Sequence, residues 1–214
     1  MKKTEVSILN WDIEKSCFDE GFSVVCGTDE AGRGPLCGPV VAAACILPPF
    51  IEIPGLNDSK KLSEKKREEL FEIIKEKAVS FAVAEVSSEE IDRINILNAS
   101  QKAMRIAVSK LTPTPDVVLV DGNIARNFPC RAITVIKGDS KSPSIAAASI
   151  LAKVTRDRLC KELDEMYPQY GIAKHKGYPT KDHMEAVRKY GPSPVHRLSF
   201  LGFLKNGDGD KEKE

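Results

Sequence analysis

The chain has no C-x-x-C pair, no glycine-rich nucleotide fingerprint, no long apolar run and no strong excess of one charge; each absence argues against a class of function. Cys17, Cys26, Cys37, Cys45, Cys130 and Cys160 show no paired spacing, and several lie inside apolar runs, as buried free thiols do. Neither a disulfide framework nor a zinc centre is expected. His175, His183 and His196 share no ligand spacing on one helical face and read as surface or hydrogen-bonded residues. Gly32, Gly34 and Gly38 do not fit G-x-G-x-x-G, and G-x-x-x-x-G-K-[ST] does not occur, which argues against a nucleotide cofactor. Met1-Lys2-Lys3 followed by Thr4 and Glu5 has no signal-peptide pattern, and no later run is long enough to span a bilayer. A cytoplasmic monomer without membrane contact is expected. With 32 Lys and Arg against 31 Asp and Glu the net charge is +1, so any affinity for nucleic acid has to come from local basic patches.

What the sequence does contain is an α/β pattern in 214 residues, a length that one core can fill. Residues 22–29 and 38–47 are short apolar runs joined by a glycine-rich turn and predict an antiparallel pair of strands. A helix is expected from Ser63, with Leu70, Phe71, Ile73 and Ile74 on its buried side, followed by a strand over 81–86. Ser87 and Glu90 form a capping-box pattern, and helical spacing continues through Leu97, Met104, Val108 and Leu111 until Pro113 and Pro115. Two more short strands, 117–120 and 132–136, precede a long helix with Ser142 as N-cap and Pro143 at its first position. Its small residues Ala146 to Ser149 would let it lie close to the sheet. The expected organisation is a lead over 1–21, one catalytic domain over 22–204 and a disordered polar tail over 205–214.

Chemistry concentrates where strands end. Asp29 and Glu30 follow the first apolar run and stand against Gly32-Arg33-Gly34; adjacent carboxylates there need a cation to offset their repulsion and lost hydration. A divalent metal is the natural candidate. The glycines permit close backbone approach or positive φ, and the guanidinium between them can grip a phosphate, which together suggests metal-assisted chemistry on a phosphodiester. The same residues could also be an ordinary polar turn. Asp121 closes the run Val117-Val118-Leu119-Val120 at the end where ligands gather in open α/β sheets, although Asp-Gly is also a common turn pair. Asp139 follows the last strand and lies near the positive end of the long helix. The Gly138-Asp139-Ser140 triplet lacks a histidine in a partner motif, so a serine hydrolase is a weak reading.

Taken in order, six segments resemble the bacterial ribonuclease HII family across residues 22–203. They are Asp29 to Leu36, Asp58 to Leu62, Val120 to Asn123, Lys137 to Ser140, Ala146 to Asp157 and His175 to Thr180. The resemblance implies an RNase H-like fold: a mixed five-stranded sheet flanked by helices, with a C-terminal helical portion over the substrate groove. It also implies an endoribonuclease that hydrolyses the RNA strand of RNA/DNA hybrids and cuts 5′ to ribonucleotides embedded in duplex DNA, leaving 5′-phosphate and 3′-hydroxyl ends. Removal of RNA primers and of misplaced ribonucleotides would be its roles. Carried over by motif, Asp29, Glu30, Asp121 and Asp139 are the catalytic and metal-ligating carboxylates; four oxygen donors suit two Mg²⁺ or Mn²⁺ ions and not zinc. Backbone groups of Gly32, Arg33 and Gly34 would contact the ribose and its phosphates, Tyr178 would stack on the following sugar, and Lys60 would assist substrate binding.

Lys61, Lys153, Arg156, Lys174, Lys176, Lys181, Arg188 and Arg197 are further candidates for backbone phosphates, fewer than half of which are expected to serve. Lys65-Lys66-Arg67 reads as a solvated helix surface, and Asp157 as one half of a local ion pair. Some members of the family contact the replication clamp through a C-terminal motif, but 200–214 contains no convincing one.

Overall fold

The computed structural model describes residues 9–204; the expected tail 205–214 and the first eight residues of the lead lie outside them. Helix α1 (Asp12–Asp19) precedes the hairpin of β1 (Val25–Ala31) and β2 (Val40–Ile46), then α2 (Glu64–Lys77) and β3 (Ser80–Val86). Helices α3 (Ser88–Ile94) and α4 (Ile96–Ser109) lead to β4 (Val117–Asp121) and β5 (Arg131–Val135). The long helix α5 (Pro143–Met166) and the short helices α6 (Ile172–His175) and α7 (Lys181–Tyr190) complete the order. The sheet runs β3-β2-β1-β4-β5; β1 pairs antiparallel with β2 and parallel with β4, so it is mixed, as expected.

Strand alternation divides the core between two helical layers. Val40, Ala42 and Ala44 of β2 face Ala99, Ala103, Met104 and Ala107 of α4, whereas Ala43 and Cys45 face α2 and α5. Each fully buried Ile or Leu of α5, such as Ile145, Ile150 and Leu151, contributes roughly 1.5–3 kcal/mol by leaving water. Close approach of α5 to β1 explains Gly27: a Cβ there would fall within 2.5 Å of the Ser144 carbonyl oxygen. The third cluster joins Leu36, Cys37 and Cys160 to Tyr170, Ile172 and Val187, fastening the C-terminal helices beside the glycine-rich loop.

Local signals hold at several ends. Ser63 Oγ accepts from Lys66 N at 3.2 Å, and Ser142 caps α5 with Pro143 at its start. Two expectations change. The helix expected from Ser87 to Leu111 is two helices, because Asn95 turns the chain at φ 66° and caps α4 by accepting from Asn98 N at 3.0 Å. Ser87 caps α3, but Glu90 does not close the capping box; it pairs at 2.7 Å with Arg93 and with Lys102. The lead also contributes structure: Cys17 of α1 packs on Val25 and Val117, and Glu14, fully buried, accepts from Ser142 Oγ at 2.6 Å and from Ser144 N at 3.1 Å. That carboxylate complements the positive end of α5.

Candidate active site

Strand β1 extends through Asp29 and Glu30 to Ala31, so both carboxylates stand on a strand and point to opposite faces, Asp29 towards α5 and Glu30 towards α4. They meet Asp121, at the end of the neighbouring parallel strand β4, in a cleft of about 250 Å³. Gly32, Arg33, Gly34, Ser59, Lys60, Ser149, Lys153 and Tyr178 complete most of its lining. Asp139 lies beside it, with Lys60 Nζ 3.5 Å from Asp139 Oδ2. Asp121 Oδ1 accepts from Gly138 N at 2.7 Å, which fixes the Asp139 turn against β4.

The electrostatics express crowding of like charges. Burial first, then the charges of Glu30 and Asp121, hold the Asp29 carboxyl well above the usual carboxylate range, against a hydrogen bond from Ser149. Glu30 is raised by burial and Asp121 despite Arg33, whose Nη1 is 3.3 Å from Glu30 Oε1. Asp139 is raised by burial and by the carboxylates of Asp121 and Asp58. Burial works against the charge of Lys60, but Asp139, Asp29, Asp58 and Asp121 together raise its pKa. An all-oxygen donor set in which three carboxyls resist ionisation fits hard divalent cations, which would relieve that repulsion.

Some residues outside the motif roles build the site. Ser149 reaches Asp29 and lies 2.9 Å from Ser59 Oγ, joining α5 to the turn that carries Lys60. Arg67 donates to the carbonyls of Ser59 at 3.0 Å and Leu62 at 2.6 Å, and its Nη2 is 3.8 Å from Asp157. It is therefore no part of a solvated basic surface; its place on the stripe with Leu70, Phe71 and Ile74 was the available signal. Asp157 forms the expected ion pair, at 2.6 Å from Lys153 Nζ.

Arg156 and Arg197 depart most from expectation. They are 1% and 0% exposed and donate to backbone carbonyls, although Arg156 also borders the cleft. Lys174 is held 2.9 Å from Asp182, and Lys181 3.7 Å from Glu185. Tyr178 remains 44% exposed, and its ring borders the cleft within 3.4 Å of where a Gly34 Cβ would stand.

The three histidines, apart in sequence, are in contact. His175 stacks on His183 with ring centroids 4.3 Å apart, and His183 Nε2 is 3.1 Å from His196 Nε2. His183 and His196 bring ring nitrogens within 4.8 Å of the Cys37 Sγ and of each other. The hydrogen bonds oppose a metal there. Ser193 N donates to His196 Nδ1 at 3.1 Å, which leaves the proton on His196 Nε2 for His183 Nε2, while His183 Nδ1 donates to the Tyr178 carbonyl at 3.0 Å. Burial lowers the His183 pKa, and burial with the charge of His183 lowers His196 to about 4, so both rings favour the neutral form.

The family model "Ribonuclease HII" matches residues 26–202. A ribonuclease HII of Acetivibrio thermocellus is 54% identical over 187 residues, covering 87% of this chain and 73% of the relative. Among solved structures, ribonuclease H2 from Pyrococcus horikoshii OT3 superposes with a TM-score of 0.69 at 28% identity, covering 86% of this chain and 98% of that one. The ribonuclease HII of the PCNA:RNase HII complex from Archaeoglobus fulgidus gives 0.68 at 26%, with coverage of 82% and 94%. The chain belongs to the ribonuclease HII family and is a ribonuclease, a hydrolase of phosphodiester bonds.

Proposed function

We propose that this ribonuclease acts on RNA/DNA hybrids and on duplex DNA carrying ribonucleotides, cutting on the 5′ side of a ribonucleotide as a monomeric, divalent-metal-dependent endonuclease. The observation that carries the reading is the convergence of Asp29, Glu30 and Asp121 in one cleft with Gly32-Arg33-Gly34 and Tyr178, with Asp139 linked through Lys60. Asp29, Glu30, Asp121 and Asp139 are the proposed metal ligands. Bound Mg²⁺ or Mn²⁺ would supply Lewis acidity to the attacking water and to the departing oxygen.

The chain's own groups position the substrate. Arg33, exposed beside Glu30, and the N–H groups of its turn can bind phosphate oxygens and the ribose 2′-hydroxyl. The Tyr178 ring is exposed and would stack on the following sugar; a deoxyribose would fit there better, which would set the junction between a ribonucleotide and the following deoxyribonucleotide. Lys60 neutralises part of the carboxylate charge while the site is open. The water oxygen bonds to phosphorus, the bond to the 3′ oxygen breaks, and that oxygen takes up a proton, leaving 5′-phosphate and 3′-hydroxyl ends. No protein nucleophile and no attack by the 2′-hydroxyl are involved. Removal of RNA primers and embedded ribonucleotides is the matching role, in the cytoplasm.

The test compares end-labelled duplexes with one ribonucleotide, a full RNA strand or DNA alone, with Mg²⁺ or Mn²⁺. Cleavage of the first two and not the third is expected; equal cutting of all-DNA duplex would overturn the reading. A replication-clamp contact is a separate proposal, suggested by the PCNA-bound relative and tested by co-elution with a clamp.

A further inference from the structure

We propose that Arg197, supported by Arg156, is a positioning residue for substrate recognition: it holds the Gly32–Gly34 turn so that the backbone N–H groups face the nucleic acid. The proposal rests on the reading of that turn as the ribose and phosphate contact, and adds what sets its orientation.

A buried guanidinium ordinarily has a carboxylate partner, because its desolvation is costly. Among the described residues neither Arg156 nor Arg197 forms an ion pair. All six of their hydrogen bonds go to carbonyls. Arg197 donates to Gly32 O at 2.7 Å, Gly38 O at 3.0 Å and Arg33 O at 3.1 Å. Arg156 donates to Lys176 O at 3.0 Å and to Pro39 O and Cys37 O at 3.3 Å each. Burial, then the neighbouring charge of Arg156, lowers Arg197 to about 10. Apolar packing would stabilise the fold at less cost, so two adjacent buried cations point to a geometric purpose.

Peptide planarity supplies it. The bonds from Gly32 to Arg33 and from Arg33 to Gly34 are trans, so each carbonyl points opposite to the N–H of the same unit. By drawing the carbonyls of Gly32 and Arg33 inward, one guanidinium turns the N–H groups of Arg33 and Gly34 outward. Among the described residues the N–H groups of Gly32, Arg33 and Gly34 meet no protein acceptor, and all three residues line the carboxylate cleft. Arg156 closes the turn from beneath: a Cβ on Gly32 would come within 2.5 Å of its Cδ and closer still to its Nε. The donors are thus free, aimed and rigid before the substrate arrives, which lowers the ordering cost of binding.

The test uses Arg197→Lys, which keeps the charge but cannot span three carbonyls. Expected results are a folded protein with Ca²⁺ affinity close to wild type and a KM for a single-ribonucleotide duplex raised about tenfold, equivalent to about 1.4 kcal/mol. Binding preference in Ca²⁺ for that duplex over all-DNA duplex should fall in parallel. An unchanged KM and preference, or a loss confined to kcat, would overturn the proposal. If Arg197→Lys does not fold, amide exchange in the wild-type chain decides: the Arg33 and Gly34 N–H groups should exchange at least about tenfold more slowly when a single-ribonucleotide duplex binds in Ca²⁺, and unchanged exchange would refute the assignment. A wild-type enzyme that ignores ribonucleotides would sink the functional reading itself. A wild type that cleaves them while Arg197→Lys behaves identically would sink only this inference.

Discussion

Replacing Gly32 with alanine tests the packing of the recognition turn. Gly32 has φ +97°, where an L side chain costs roughly 1–2 kcal/mol. The new methyl would also lie within 2.5 Å of Arg156 Cδ, and Arg156 is a poor neighbour to displace because its three donors are engaged with three carbonyls. Losing even one such charged hydrogen bond costs roughly 1.5–3 kcal/mol. Together these place the cost of Gly32→Ala at about 3–5 kcal/mol, a large share of the 5–15 kcal/mol typical of a folded domain. For a chain of this size that is a fall in Tm of roughly 6–20 °C. Thermal unfolding by circular dichroism measures it, with Gly202→Ala as control, because no heavy atom lies within 4 Å of that Cβ position and its φ is not positive. A drop in Tm below about 2 °C for Gly32→Ala, with KM unchanged, would refute both the packing and the rigidity assigned to the turn.

Asp121→Asn keeps an acceptor for Gly138 N, so stability should change by less than about 1 kcal/mol while cleavage falls by more than the roughly 10–100-fold typical of outer-shell changes at metal sites; near-normal turnover in Mg²⁺ would contradict its role. Tyr178→Ala should shift the ratio of single-ribonucleotide to full-RNA-strand cleavage by about tenfold, the scale of a lost stacking contact, with little change in Tm; an unchanged ratio would count against junction sensing. His196 has its folded pKa lowered to about 4 from an ordinary value near 6.5, so the unfolded chain takes up a proton first as pH falls. Stability should be full above about pH 6.5 and decline towards pH 4, by on the order of 3 kcal/mol from this residue. Urea denaturation at stepped pH checks this, and a His196→Gln variant that loses as much stability as wild type over that window would refute the cause.

The parts of the fold set by local rules could be read from the sequence. Val117 to Val120 is apolar throughout because β4 is covered on both faces, and Ser142-Pro143 starts α5 because an N-cap followed by a fixed φ suits a helix start. Asp29, Glu30 and Asp121 could be picked out because carboxylates at buried strand ends are costly without a partner. Three kinds of feature were hidden. Asn95 splits a continuous helical pattern by adopting positive φ, which residue type alone does not force. Arg156 and Arg197 looked like phosphate ligands because their true partners are carbonyls 20 to 165 positions away. Glu14 and Ser142, 128 positions apart, meet only once α1 docks on the start of α5.

The most direct measurement is product analysis on a duplex containing one 2′-hydroxyl, cleaved with Mg²⁺ or Mn²⁺. The account predicts a single cut on the 5′ side of the ribonucleotide, yielding a 5′-phosphate and a 3′-hydroxyl, and no cut when that hydroxyl is absent. A 2′,3′-cyclic phosphate, or an equal rate on all-DNA duplex, would contradict it.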